Sequence, residues 1–368
     1  MVRRDEIRCQ GHVKPSSLLV LAFVACGPAS SAPVEQPAPL PSARRTDSAE
    51  SGPSVRVDDA SPPQGRAPAV TRTEIEQLAT LFASTPQSSP ERASIARRLA
   101  EDWVELEVAA PNDLTRASAR VEVMKYYTLL ETDFPTYPQL DEVYFRHAYE
   151  CEQAHDPAKA QSLYGEIVQR FPSSKYAANA YLAIGEMYFD QAQSDPSKLD
   201  FAAQAYYDVL KHPPPANAVY GYAWYKLAFI FWNKGEYEKS LNAFKKVVDF
   251  ATQFPTVTGA AKLGDAARKD VIPVYAKIGA PAQAFNFFHT MSNDPPGTNV
   301  RTLAMMGALG QTYLDNVAYA DAAALYRDLQ TRDAAHKCRW DTYVKHLDGA
   351  MKTNFTRAAL DADLAQCP

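Results

Sequence analysis

Apolar residues return along this chain at helical spacing, in pairs of stretches separated by short polar breaks. The pattern is sharpest between Tyr220 and Val248. There Trp224, Leu227, Ala228 and Phe231 recur at three- and four-residue steps, and beyond Gly235 so do Ser240, Phe244 and Val247. Such spacing gathers each set on one face of a helix, so two amphipathic helices turning at Gly235 are expected. The paired pattern recurs on both sides. Ala96, Leu99, Ala100 and Trp103 lead, after an insertion rich in loop residues, to Val123, Tyr127 and Leu130. Tyr144, His147, Ala148 and Cys151 precede Ala160, Tyr164 and Ile167, and Tyr181, Ile184, Gly185 and Tyr188 precede Ala202, Tyr206 and Val209. A degenerate copy runs from Val271, Ile272 and Tyr275 to Ala284, Phe288 and Met291, and Pro273 is expected to kink its first helix. Met306, Leu309, Gly310 and Tyr313 with Ala322, Tyr326 and Leu329 make the last copy. A closing helical pair follows through Trp340, Val344, Leu347 and then Phe355, Ala359 and Leu364.

The order Trp-x2-Leu-Ala-x2-Phe and then Ser-x3-Phe resembles the tetratricopeptide repeat, with Ala228 for Gly, Phe231 for Tyr and Ser240 for Ala. The resemblance implies an all-α chain: a right-handed superhelix of about six repeats over residues 93–336, closed by a capping helical pair at 337–368. Small residues at the eighth and twentieth positions let paired helices approach, and aromatics at the eleventh and twenty-fourth fill the space between pairs. Proline near the thirty-second position, as at Pro135 and Pro172, ends the second helix. The linker Arg170-Phe-Pro-Ser-Ser-Lys-Tyr-Ala177 narrows the match. It resembles the linkers of bacterial envelope tetratricopeptide lipoproteins, which serve β-barrel assembly, the Tol-Pal system and gliding motility.

Composition changes the picture at the N-terminus. Residues 27–72 hold nine prolines and no aromatic residue. Such a segment buries too little apolar surface to offset its ordering entropy, so it reads as a disordered tether. Ahead of it a net-basic stretch precedes Leu18–Ala25, and Phe23-Val24-Ala25-Cys26 resembles the lipobox of bacterial lipoproteins. That resemblance implies lipidation of Cys26, and Gly27 after it favours the outer membrane. The expected organisation is a signal peptide over 1–25, lipidated Cys26 with its tether to 72, a lead-in helix over 73–92, the array, and the cap. The formal net charge is −5, with no broad basic surface, which argues against nucleic acid as a partner. Of five cysteines, Cys9 lies in the removed segment and Cys26 would carry lipid. Cys151, Cys338 and Cys367 remain, and the last two either close a helical hairpin by a disulfide or stay as free thiols.

No catalytic signature stands in its required context, so no catalytic residue and no cofactor are expected. His147, Cys151 and His155 share one helical face, but they spread over about 12 Å of helix, too far for one ion, and a packed cysteine is expected instead. Glu101, Asp102, Glu105 and Glu107, like Asp361 and Asp363, read as solvated helix faces. In tetratricopeptide arrays the second, fifth, ninth and twelfth positions of the first helix line a concave groove. The resemblance places Tyr222, Tyr225, Phe229 and Trp232 there, with Phe145, Tyr149, Leu182 and Phe189 from the two preceding repeats. An aromatic groove suits a peptide or helix of another envelope protein. The other reading of so apolar a helix is burial on all sides. The function expected is a non-enzymatic scaffold, tethered to the outer membrane on its periplasmic side. The alternative is a cell-wall binder or enzyme accessory with a polar pocket near His289 or His147.

Overall fold

The computed structural model describes residues 66–350 and 356–367, and every regular element among them is helical. Cys26, the expected signal peptide and the expected tether up to residue 65 lie outside the described residues. The first helix, α1 (Pro68–Ser84), starts ahead of the expected Thr73, because Pro68 sits in the first turn where its missing N–H costs nothing. It packs on α2 (Glu91–Val108), which pairs with α3 (Asp113–Asp133). The loop-rich insertion expected here is largely helical. Only residues 109–112 separate the two helices, and Asn112 caps α3 by accepting from the Thr115 N–H at 2.9 Å.

Further hairpins follow in order: α4 (Leu140–Gln153) with α5 (Pro157–Arg170), α6 (Ala177–Gln191) with α7 (Lys198–Val209), and α8 (Tyr220–Asn233) with α9 (Tyr237–Gln253). The degenerate copy departs from this plan. Its first helix, α10 (Ala260–Ile278), runs on through Pro273 and packs against α9 and against α12 (Val300–Asp315). Its second, α11 (Ala284–Ser292), is short and lies chiefly on α12. Then α13 (Tyr319–Arg332) pairs with α12, and α14 (Lys337–Ala350) and α15 (Arg357–Leu364) close the chain. Contacts run between neighbours in sequence, the mark of a stacked helix-pair array whose stability accumulates pair by pair.

The repeat grammar has a physical counterpart. Tyr127, Tyr164, Tyr206, Phe244, Phe288 and Tyr326, all at the twenty-fourth position, are the six largest fully buried side chains. Two of them rest on a glycine at the eighth position: Tyr206 on Gly185 and Tyr326 on Gly310. Where Ala228 replaces that glycine, the Ser240 hydroxyl at the twentieth position donates to the Ala228 carbonyl at 2.8 Å. Linkers repeat as well. Phe134, Phe171 and Phe254 each end a helix at φ near −125° and each accepts through its carbonyl from the N–H three residues on.

The turns inside three hairpins are also equivalent. His155, Gly235 and Val317 all adopt the left-handed conformation, with φ of 60°, 72° and 61°. In each, the following N–H reaches back five residues to a carbonyl, from Asp156 to Cys151, Glu236 to Phe231 and Ala318 to Tyr313. This is the Schellman termination, which glycine fits without strain. Val317 is β-branched and exposed there, so Val317→Gly is expected to stabilise the fold by about 1 kcal/mol. Urea unfolding checks it: the midpoint should rise with no change in slope.

Candidate functional site

The helix α8 carries the row singled out by sequence. Tyr222, Tyr225, Phe229 and Trp232 are all half-buried on it, while Leu227, Ala228 and Ile230 on its other side are fully buried. The row is continuous, since Tyr222 stacks on Tyr225 at 6.2 Å and Tyr225 meets Phe229 edge-on at 5.1 Å. Both Tyr225 and Phe229 rest edge-on against Phe244 of α9. Trp232 packs against Tyr237 at the start of α9. The helix is therefore neither bare nor buried all round. The Tyr225 hydroxyl donates to Asp270 of α10, so that residue is tied into the array.

On the opposite flank Lys226 crosses from α8 to α6. Its Nζ stands 2.9 Å from Glu186 and 4.2 Å from the centre of the Phe189 ring. Glu186 also accepts from the buried Tyr206 hydroxyl at 2.6 Å. Phe189 is half-buried beside this pair, and Tyr149 on α4 is half-buried too. The remaining two residues of the expected row differ. Leu182 is fully buried, and Phe145 is only 5% exposed, stacked on Tyr176 at 5.0 Å and edge-on to Tyr164. Neither offers surface to a partner. Both hold the fifth position of their helix, which here faces the seam between pairs rather than the open side. Arg97, at the same position of α2, is buried as well.

Near the closing pair, Cys338 and Cys367 are joined by a disulfide. The α15 helix so held places Arg357 on Gln311 and Asp315 of α12, at 2.8 and 3.5 Å, while His346 of α14 pairs with Asp363 at 2.8 Å. Of the three residues weighed for metal, His147 is buried and hydrogen-bonded to Glu131 at 2.7 Å, Cys151 is fully buried, and His155 is exposed at its turn. Among the described residues no cluster of His, Cys, Asp or Glu has metal-ligand geometry. A recess of about 300 Å³ beside His289 is lined by Asp249, Thr252 and Asp294. Its Asp294 is occupied in accepting the N–H groups of Arg301 and Thr302 at the start of α12.

The acids of α2 correct the sequence reading. Asp102, Glu105 and Glu107 are buried, not solvated. Arg66, ahead of α1, bonds Glu74, Asp102 and Glu105 together, and its Nη2 lies 2.6 Å from Asp102. Burial pushes the Asp102 carboxyl above its ordinary range; burial also opposes ionisation of Glu105, but the Arg66 hydrogen bonds prevail and hold that group below its ordinary value. Further along the helix Arg120 of α3 reaches both Glu107, at 2.5 Å, and Glu150 of α4, at 3.2 Å. Two buried carboxyls thus share one cation. No helix among the described residues is long and apolar enough to cross a membrane. No protein-family model matches the chain, and no curated protein sequence does.

Proposed function

We propose that this chain is a non-enzymatic envelope scaffold that holds another envelope protein against the aromatic side of α8. In this reading the helix pairs form a right-handed superhelix of about six tetratricopeptide repeats with a capping pair, and Cys26 carries the lipid that anchors it to the outer membrane, facing the periplasm. The observation that carries the reading is the row Tyr222, Phe229 and Trp232, joined by Phe189. Large aromatic side chains held half-buried on a rigid helix are what an interface core uses, because they bury much area at little entropy cost. The stacked array supports them from behind, through Phe244 and Lys226, so that binding would not have to order them.

The test uses Tyr222→Ala with Trp232→Ala, since Tyr225 is committed to Asp270 and its loss would disturb the fold. In crosslinked envelopes the double variant should lose the partners that the parent chain retains, by about a hundredfold in recovered complex. Unchanged crosslinks, with the circular dichroism of the parent chain, would sink the proposal. Anchoring is tested separately. Labelled fatty acid should enter the parent chain and not Cys26→Ser, and equal labelling of both would reject it.

A further inference from the structure

Several buried and half-buried acids of this array are ion-paired, some of them sharing one cation. Glu105 has Arg66, Glu142 has Arg97 and Arg146, Glu150 has Arg120, and Glu186 has Lys226. Asp270 is different. It is half-buried on α10, accepts the Tyr225 hydroxyl, and forms no ion pair among the described residues. Its neighbour Lys269 is exposed and makes no bond to it. Burial raises the Asp270 carboxyl above its ordinary value, prevailing over the Tyr225 hydrogen bond and the Lys269 charge, which oppose it. The cation of α8 itself is unavailable, because Lys226 is spent on Glu186 and Phe189. On the other flank Asp190 is exposed at the end of α6. The aromatic row is therefore bordered by carboxylates on both sides, with no unengaged cation on α8 alongside the aromatics to receive an anionic partner.

We infer that the occupant of this face is a segment with a basic side chain, an arginine or lysine set against Asp270 while apolar residues lie on Tyr222, Phe229 and Trp232. The inference rests on the scaffold reading above and adds the charge of the partner. Arginine fits best. Its planar group can lie on an aromatic ring and pair with a carboxylate at once. The chain provides its own example of this chemistry: Arg332 lies over Phe285 at 4.0 Å while bonded to Asp328.

The experiment is selection of a random peptide library on the full chain, followed by affinity measurement of the selected peptides. Binders are expected to share a basic residue at one fixed place. Asp270→Asn retains an acceptor for Tyr225 and removes only the charge, and it should weaken these peptides about tenfold or more. Asp270→Lys should select peptides with an acid at that place. Binders that weaken with Trp232→Ala but are indifferent to Asp270→Asn would overturn the inference and leave the scaffold reading standing. A selection whose binders ignore both changes, or that yields none, would overturn both.

Discussion

Arg120→Met is expected to destabilise the protein by about 3–5 kcal/mol, since it leaves two buried carboxyls without the one cation that pairs them among the described residues. Glu107 of α2 and Glu150 of α4 both face Arg120 of α3, whose third contact is the Gln153 carbonyl at 3.0 Å. Burial and then the nearby Glu107 push the Glu150 carboxyl up to about 8. The sign of the pH dependence follows. A glutamate in the unfolded chain titrates near 4.5, so between there and about 8 the folded state holds an extra proton. The stabilisation is complete below the unfolded value and is lost as pH rises through the folded one. Stability should therefore fall between about pH 5 and about pH 8 and level off above that. Glu105 and Glu142, held below their ordinary value, act oppositely and only under acidic conditions, outside this range. Glu150→Gln should flatten the slope, because it removes the group whose titration produces it. Urea midpoints across that range check both variants. A flat profile in the parent chain would refute the raised Glu150 carboxyl.

This triad also marks where sequence reasoning stopped. Helix pairing was legible because the apolar period is local, and the twenty-fourth-position aromatics all proved to be core. The buried acids were not legible, because a run such as Glu101–Glu107 looks solvated until its partners are known. Those partners lie far off in sequence: Arg66 meets Glu105 across 39 residues, and Arg120 meets Glu150 across 30. The helical start at Asp113 could have been read from Asn112 and Thr115, a capping pair inside a stretch taken for loop. The candidate face was half legible. Tyr222, Phe229 and Trp232 are half-buried along α8, but the repeat template does not know that the fifth position here turns into the seam. Phe145 and Leu182 were lost to the core for that reason, and Tyr225 became a strut to Asp270.

Gly310→Val is expected to cost about 3 kcal/mol, the upper end for overpacking a rigid site. A side-chain carbon at Gly310 would stand 2.5 Å from the Tyr326 ring, well inside contact distance. An exposed tyrosine could swing away, but Tyr326 has no room to do so. It is fully buried, lies parallel to Tyr343 at 4.2 Å and near-parallel to Trp340 at 5.7 Å, and its hydroxyl accepts from Gln311 at 3.0 Å. Any shift of the ring is passed to α14, and through it to the disulfide-closed cap. The same change at Gly165, where nothing lies within 4 Å of the added carbon, should be close to neutral, and Gly165→Ala should gain about 1 kcal/mol from helix propensity alone. The decisive measurement is a double-mutant cycle. If the clash with Tyr326 is the cause, Gly310→Val combined with Tyr326→Leu should be less destabilised than the two single losses added together, by about 1 kcal/mol or more. Additive losses would mean that Gly310 acts through its backbone and not through the close approach of α12 and α13.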